Sequence, residues 1–325
     1  MGTINQSITL RDVQDAAARI RPHAIHTPLL RQYALEESLG PEVYLKAENL
    51  QRTGAFKFRG AFKTLASMAE HERPSHVITS SSGNHGQAVA AAGFLLGIPI
   101  TVVMPENAVQ IKVDAVKGYG AQVKFAGTMS VEREAVAQEL GRTSGGIVIG
   151  SFDDPRIIAG QGTAGLEIME QLPHVEVILA PLGGGGLLSG IAVAAKAINP
   201  RVRVIGVEPE GASDAYQSYK SGEIVSLSTV NTIADGLRTN HVGKINFPII
   251  QQLVDDIVLV SDDEIRTAMR TLAIDSKLTV EPSGAVAVAA LLFGKVAVDS
   301  KKVVAVISGG NVDPKMLAKI VHSPE

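Results

Sequence analysis

One pattern repeats along this chain and limits what it can fold into. A short apolar run, rich in β-branched residues, meets a glycine- or proline-marked turn and then a helical stretch. His76-Val77-Ile78-Thr79 runs into Ser80-Ser81-Ser82-Gly83-Asn84-His85-Gly86, and an alanine-rich helix follows to about Leu96. Ile100 to Met104 stops at Pro105, ahead of a predicted helix from Val109 to Gly118. Ala121 to Ala126 and Gly146 to Phe152 read as strands, with a helix from Val131 to Gly141 between them. In the second half, Val175 to Ala180 leads into Gly183-Gly184-Gly185-Gly186, which opens a helix to Ala197. Val202 to Val207 and Val303 to Ile307 are further strands; Asp262 to Ile274 and Ser283 to Leu292 are helices. Continuously apolar strands alternating with helices imply parallel sheets covered on both faces. The predicted class is therefore α/β, with mostly parallel open sheets flanked by helices. With 325 residues, 45% of them hydrophobic, the chain has room for two domains. The expected division is a smaller unit at 76–152 inserted into a larger one built from 1–75 and 153–325.

Composition removes several functions. A net charge of -3 gives no basic footprint for nucleic acid. There is no cysteine, which excludes disulfides, thiolate nucleophiles and zinc–sulfur sites and is compatible with a reducing cytoplasm. The N-terminal stretch lacks a basic start followed by an apolar core, so no secretory signal is expected. No apolar run is long enough for a membrane span.

Four segments carry chemistry. Gly183 to Gly186 lies between a strand and a helix, where backbone N–H groups can cradle a phosphate. A plain tight turn is the alternative. No Gly-Lys-Ser/Thr follows, and the dinucleotide spacing is absent. Lys57 sits between Phe56 and Phe58 near a helix start, and apolar surroundings favour a neutral, nucleophilic amine. By itself, a lysine is more often a solvated surface residue. The Ser80–Gly86 loop gathers hydroxyls, an amide and an imidazole at a strand end, suited to a carboxylate; ordinary helix capping is the bland reading. Ser308 closes the last apolar strand, where parallel sheets place ligands.

In this order the segments resemble the fold-type II pyridoxal-phosphate (PLP) enzymes, in particular the serine racemase and threonine (serine) dehydratase branch. The resemblance runs from about His26 to Asn311. It is carried by Ala55-Phe56-Lys57-Phe58-Arg59-Gly60-Ala61, Ser81 to Gln87, Gly160-Gln161-Gly162-Thr163, Gly183 to Leu187, Thr232-Ile233-Ala234-Asp235-Gly236 and Ser308-Gly309-Gly310-Asn311. It implies that Lys57 holds the cofactor as a Schiff base and removes the α-proton. It implies that Gly183, Gly184, Gly185 and Gly186 hold the phosphate, that Asn84 bonds the ring hydroxyl, and that Phe56 and Gly236 pack on the ring. Ser308 would face the pyridine nitrogen. Ser81, Ser82, Asn84 and His85 would receive the substrate carboxylate.

A serine at the ring nitrogen is a neutral partner that weakens the electron sink, which favours prompt loss of a β-hydroxyl. The implied reaction is β-elimination from serine, threonine or threo-3-hydroxyaspartate. Racemisation is the rival, with Ser82 as proton donor on the opposite face. A β-replacement enzyme ranks third, because the Ser81–His85 loop departs from the Thr-Ser-Gly-Asn-Thr type. A non-catalytic amino-acid-binding protein is the reading from another class.

Arg133 is the candidate reader of a second carboxylate, with a solvated helix as its equal alternative, and Thr239 aligns with a further substrate-side hydroxyl. Glu208, Asp214 and the Ala212 carbonyl match a divalent-cation site of the branch, for Mg²⁺, Ca²⁺ or Mn²⁺. Gln87, Tyr119, Lys277 and Asn311 match ATP-contacting positions of the mammalian-type racemase, although plain subunit-interface residues fit them better. A homodimer is implied, without the regulatory domain of biosynthetic threonine deaminase or the haem-binding extension of some cystathionine synthases.

Overall fold

The computed structural model describes residues 8–71, 74–128, 130–298 and 301–322. The first seven residues of the N-terminal stretch discussed above lie outside it. In chain order the elements are α1 (Leu10–Ile20), β1 (Leu29–Arg31), α2 (Tyr33–Leu39), β2 (Glu42–Ala47), α3 (Lys57–His71), β3 (Val77–Ser80), α4 (Asn84–Leu96), β4 (Ile100–Met104), α5 (Gln110–Gly118), β5 (Gln122–Phe125), α6 (Ser130–Ser144) and β6 (Ile147–Val148). There follow α7 (Pro155–Gln171), β7 (Val177–Pro181), α8 (Gly186–Ile198), β8 (Arg203–Pro209), α9 (Asp214–Ser221), α10 (Asn246–Leu253), β9 (Asp256–Val260), α11 (Asp262–Ile274), α12 (Pro282–Leu292), β10 (Lys302–Ile307) and α13 (Pro314–His322).

Two sheets organise these elements, as the repeated pattern predicts. The larger has the order β1-β2-β10-β7-β8-β9, the smaller β5-β4-β3-β6. All pairings are parallel except β1 with β2. β4 and β7 are buried at every position, consistent with cover on both faces. One apolar core lies between the larger sheet and α11–α12, a second between that sheet and α8–α10, and a third joins α3 to α4 and the smaller sheet.

The sequence-based boundaries differ in one consequential place. The strand expected over Gly146–Phe152 pairs only at Ile147 and Val148. Ile149 still donates its N–H to Ile78 O at 2.9 Å. From Gly150 onward the chain leaves the sheet, and Ser151 and Phe152 line a cavity. No helix among the described residues is long and apolar enough to cross a membrane.

Candidate active site

A cavity of about 490 Å³ opens at the C-terminal ends of the parallel strands. Phe56, Lys57, Ser81, Ser82, Asn84, His85 and Arg133 line it. So do Gly183, Gly184, Gly185, Gly186, Gly236, Thr239 and Ser308. The fold thus brings together four segments that are far apart in sequence.

Lys57 is the first residue of α3, and its Nζ donates to Ser151 O at 2.9 Å. The amine sits 5.1 Å from the centre of the Phe56 ring. Burial alone pushes its pKa down to about 8. Its backbone is anchored beside the end of β10, where Phe56 N–H donates to Ser308 O at 3.0 Å and Ala55 bridges Gly309.

The glycine turn follows β7 and leads into α8. Its outward carbonyls are engaged: Gly243 N–H donates to Gly184 O at 3.0 Å and Ser189 N–H to Gly185 O at 2.9 Å. The first N–H groups of α8 have no helical acceptor, so the turn suits an anion. Glycine is required here by two observations. Gly185 has φ +99°, and a Cβ on Gly184 would lie 2.4 Å from the Phe152 ring.

The Ser81–His85 loop lines the same cavity. Ser81 Oγ accepts from Gly83 N–H at 3.1 Å. His85 is fully buried, and burial with the nearby Lys57 charge pushes its pKa down to about 3, so it is neutral. Neither of its ring nitrogens has a partner among the described residues. Asn84 donates from Nδ2 to Glu281 Oε1, and its Oδ1 accepts from Asn311 Nδ2 at 2.8 Å. Ser308 Oγ donates to Ser283 O at 3.3 Å, and Gly236 N–H donates to Ser283 Oγ at 2.8 Å.

Arg133 lines the cavity and an adjoining outer one of about 710 Å³. Nη1 donates to Thr128 O at 2.9 Å, while the buried Nε has no partner. Burial holds its pKa below the usual guanidinium range. The Thr239 hydroxyl is also buried without a partner.

Three cavity residues gave no usable sequence signal. Lys112 of α5 forms an ion pair with Asp235 across both cavities. Glu281 is buried beside Asn84, and burial, then the Asp235 charge, raises its carboxyl pKa. Phe152 stacks on Gly184, and its carbonyl accepts from Asn246 Nδ2 at 3.1 Å. A charged residue on a surface helix such as α5 reads as solvated until its partner, here 123 residues away, is known.

The remaining candidates lie elsewhere. Glu208 lies in β8, one residue before its end, and its carboxylate accepts from Ala215 N–H at 3.1 Å and Tyr216 N–H at 2.8 Å. Asp214, fully buried at the start of α9, has no partner for either oxygen. Burial pushes Asp214 up to about 7, and burial followed by the Asp214 charge raises Glu208 well above the carboxylate range. Among the described residues no three His, Asp or Glu side chains converge, so the pair has only carbonyls such as that of buried Ala212 to add. Gln87, Tyr119 and Lys277 lie outside both cavities, whereas Asn311 lines the outer one. Tyr119 packs on Phe94 with ring centres 6.4 Å apart, and Lys277 is exposed with its Nζ on Ile274 O.

Comparison with known proteins agrees with this arrangement. A family model described as pyridoxal-phosphate dependent enzyme matches residues 20–309. L-threo-3-hydroxyaspartate ammonia-lyase of Saccharomyces cerevisiae is 43% identical over 98% of this chain and 97% of its own. The catabolic L-threonine dehydratase of Escherichia coli is 43% identical over the same shares, 98% and 97%. The structure of maize serine racemase superposes with a TM-score of 0.93 at 39% identity, covering 97% of both chains. A partly buried lysine amine, a glycine turn lining the same cavity and a family match along most of the sequence lead to one assignment: the chain belongs to the pyridoxal-phosphate dependent enzymes.

Proposed function

We propose that this enzyme eliminates water from a small 3-hydroxy-L-amino acid, giving a 2-oxo acid and ammonia. Serine, threonine and threo-3-hydroxyaspartate are the candidate substrates. The observation that carries this reading is the Lys57 amine, partly buried with a lowered pKa and sharing one cavity with the glycine turn and the Ser81–His85 loop. When bound, pyridoxal phosphate supplies the electron sink that acidifies the substrate's α-hydrogen.

The chain's own residues do the rest. Gly183 to Gly186 bind the phosphate, and Phe56 and Gly236 flank the ring. Asn84, held by Glu281 and Asn311, meets the ring hydroxyl. Ser308 offers a neutral hydroxyl to the pyridine nitrogen. Ser81, Ser82, Asn84 and neutral His85 orient the substrate carboxylate. Lys57 takes the α-proton and returns it to the departing β-hydroxyl, which leaves as water. The released enamine becomes an imine, which a water molecule hydrolyses to the 2-oxo acid and ammonia. Arg133, with its unpartnered Nε, and Thr239 select the substrate's side chain, and Arg133 favours one with a second carboxylate. Purified enzyme supplied with pyridoxal phosphate should release ammonia and a 2-oxo acid from at least one of the three substrates. No oxo acid from any of them rejects the dehydratase reading.

Ser82 supports racemisation as the second reading, since its hydroxyl lines the cavity and its outer mouth. A chiral assay on the same samples follows D-serine and D-aspartate. Ser82→Ala should reduce any racemisation about 10²-fold or more while elimination persists, the range expected for losing a general acid. Equal loss of both activities argues against a separate role for Ser82.

Covalent capture of pyridoxal phosphate should also depend on pH with a definite sign. The nucleophile is the neutral amine. With the Lys57 pKa at about 8, capture by apo-protein rises with pH and levels off above about 8. Stopped-flow absorbance from pH 6 to 10 checks this; a midpoint near that of a solvated lysine contradicts it.

Glu208, Asp214 and the Ala212 carbonyl are proposed to bind Mg²⁺, Ca²⁺ or Mn²⁺, supported by the orphaned, buried Asp214 carboxylate. Mg²⁺ at a hundred times its Kd should stabilise the fold by about 2.7 kcal/mol. Thermal melts should show this as an upward shift that Asp214→Asn abolishes. Gln87, Tyr119, Lys277 and Asn311 are proposed as interface residues of a homodimer rather than an ATP site. Residues 76–152 are proposed as one domain and the two flanking segments as the other, supported by each unit having its own sheet.

A further inference from the structure

We propose that Arg59 is a positioning residue for Lys57: by gripping α7 from the first turn of α3, it fixes the direction and depth at which the lysine enters the cavity. The proposal rests on Lys57 being the cofactor lysine. It accounts for the Gly160–Thr163 block, to which no chemical role attaches.

Arg59 is completely buried, as is Glu48 beside it. Its Nε donates to Glu48 Oε2 at 2.7 Å and its Nη2 to Glu48 Oε1 at 2.8 Å. Nη1 reaches Glu167 Oε1 at 2.6 Å and Thr163 Oγ1 at 3.1 Å, and Nη2 reaches Glu167 Oε2 at 2.8 Å. Longer bonds run from Nη2 to Thr27 Oγ1 and Ile25 O, both at 3.3 Å. Lys46 Nζ, also buried, holds Glu167 at 2.5 Å, so two cations meet two carboxylates.

Such a cage is weak evidence for stability. Desolvating four charges is costly, and buried ion pairs are often replaceable by apolar residues without loss. Their better-attested use is to fix one register. Register is what this contact needs. α3 and α7 meet through glycines: a Cβ on Gly160 would lie 2.6 Å from Gly60 Cα. The Gln161 side chain lies against Gly60, but its buried amide has no hydrogen-bond partner among the described residues, so Arg59 supplies the polar interlock. It takes Thr163 and Glu167, one helical turn apart on α7, in a two-sided fork that lysine cannot reproduce.

The geometry couples this grip to Lys57. Residues two apart in a helix point about 200° apart, so Arg59 faces α7 while Lys57 faces the cavity. The other side of this turn is fixed by the bond from Phe56 N–H to Ser308 O. Lys57 is thus held between the end of β10 and the cage. Its pKa of about 8 has burial as its cause and therefore reports how deep the amine lies.

The test uses full-length apo-protein and two variants, Arg59→Lys and Thr163→Val. The second keeps every charge and the side-chain volume. Competitive labelling with an amine-reactive reagent across pH, read at the Lys57 peptide by mass spectrometry, gives that residue's pKa directly. Binding of pyridoxal phosphate is titrated by fluorescence in parallel. Wild type should titrate near 8. Both variants should titrate nearer the solvated lysine value of about 10.4 and bind the cofactor about tenfold more weakly, with Arg59→Lys the more affected. Variants that melt lower but keep the wild-type Lys57 pKa and affinity overturn the proposal, because the cage then serves stability alone. If Arg59→Lys does not fold, Thr163→Val decides. Failure of the underlying reading looks different: borohydride-reduced cofactor would map away from Lys57 in wild type.

Discussion

Lys57→Ala should lower 2-oxo acid formation by about 10⁴-fold, the upper end of what losing a general base costs, and leave the protein without the visible absorption of bound cofactor. Two functions are lost together: the covalent hold on pyridoxal phosphate and the base that reaches the α-hydrogen. The fold should survive. The amine's hydrogen bond goes to Ser151 O at the cavity wall, where the chain has left the smaller sheet, and not to the apolar core. Lys57→Arg is the informative companion. It retains length and positive charge, but a guanidinium does not deprotonate near neutral pH and should be equally inactive. Circular dichroism with a steady-state oxo-acid assay checks both. Residual activity above a few per cent in either variant contradicts the role given to this residue.

The second large effect concerns the glycine turn. Gly185→Val places a β-branched side chain at φ +99°, with its Cβ 2.8 Å from the Asn246 Cβ. Such strain costs about 1–3 kcal/mol, and relief requires the turn to move. Because the turn is the phosphate cradle, cofactor affinity should fall about 10- to 100-fold. Gly40→Val is the control. Gly40 has a comparable φ of +92° with nothing within 4 Å of an added Cβ, between α2 and β2. It should destabilise the protein without altering cofactor affinity. Equal affinity losses in the two variants would assign the effect to general destabilisation.

Much of the frame was legible because local rules and tertiary structure agree. β4 and α11 match their expected ranges, since an apolar β-branched run and a capped amphipathic stretch each have one good solution. Ser261 and Glu264 form the capping box that starts α11. The glycine run and the Ser80–Gly86 loop are also local, each confined to a few residues between a strand and a helix.

What escaped the sequence depends on distance or on burial of charge. α7 contains Gly160, Gly162 and Gly165, which argue against a helix by propensity. Tertiary contact reverses the argument: these glycines let α7 touch Gly60, Gly190 and Ile191 at backbone distance. Glu48, Arg59, Lys46 and Glu167 have surface chemistry, yet the first three are fully buried and the last is nearly so. Their mutual pairing makes burial tolerable, and the partners lie as many as 121 residues apart. The Gly146–Phe152 strand was overextended for a related reason. Its apolar, β-branched part is only Ile147 to Ile149, and Ser151 and Phe152 line the cavity instead.

Every role proposed for this cavity follows from a covalent link between Lys57 and the cofactor. The direct test is to reduce the holoenzyme with borohydride, digest it and locate the pyridoxyl group by mass spectrometry. A single modified peptide carrying the adduct on Lys57 is expected. An adduct on another lysine, such as Lys46, Lys63 or Lys112, or none at all, would contradict it.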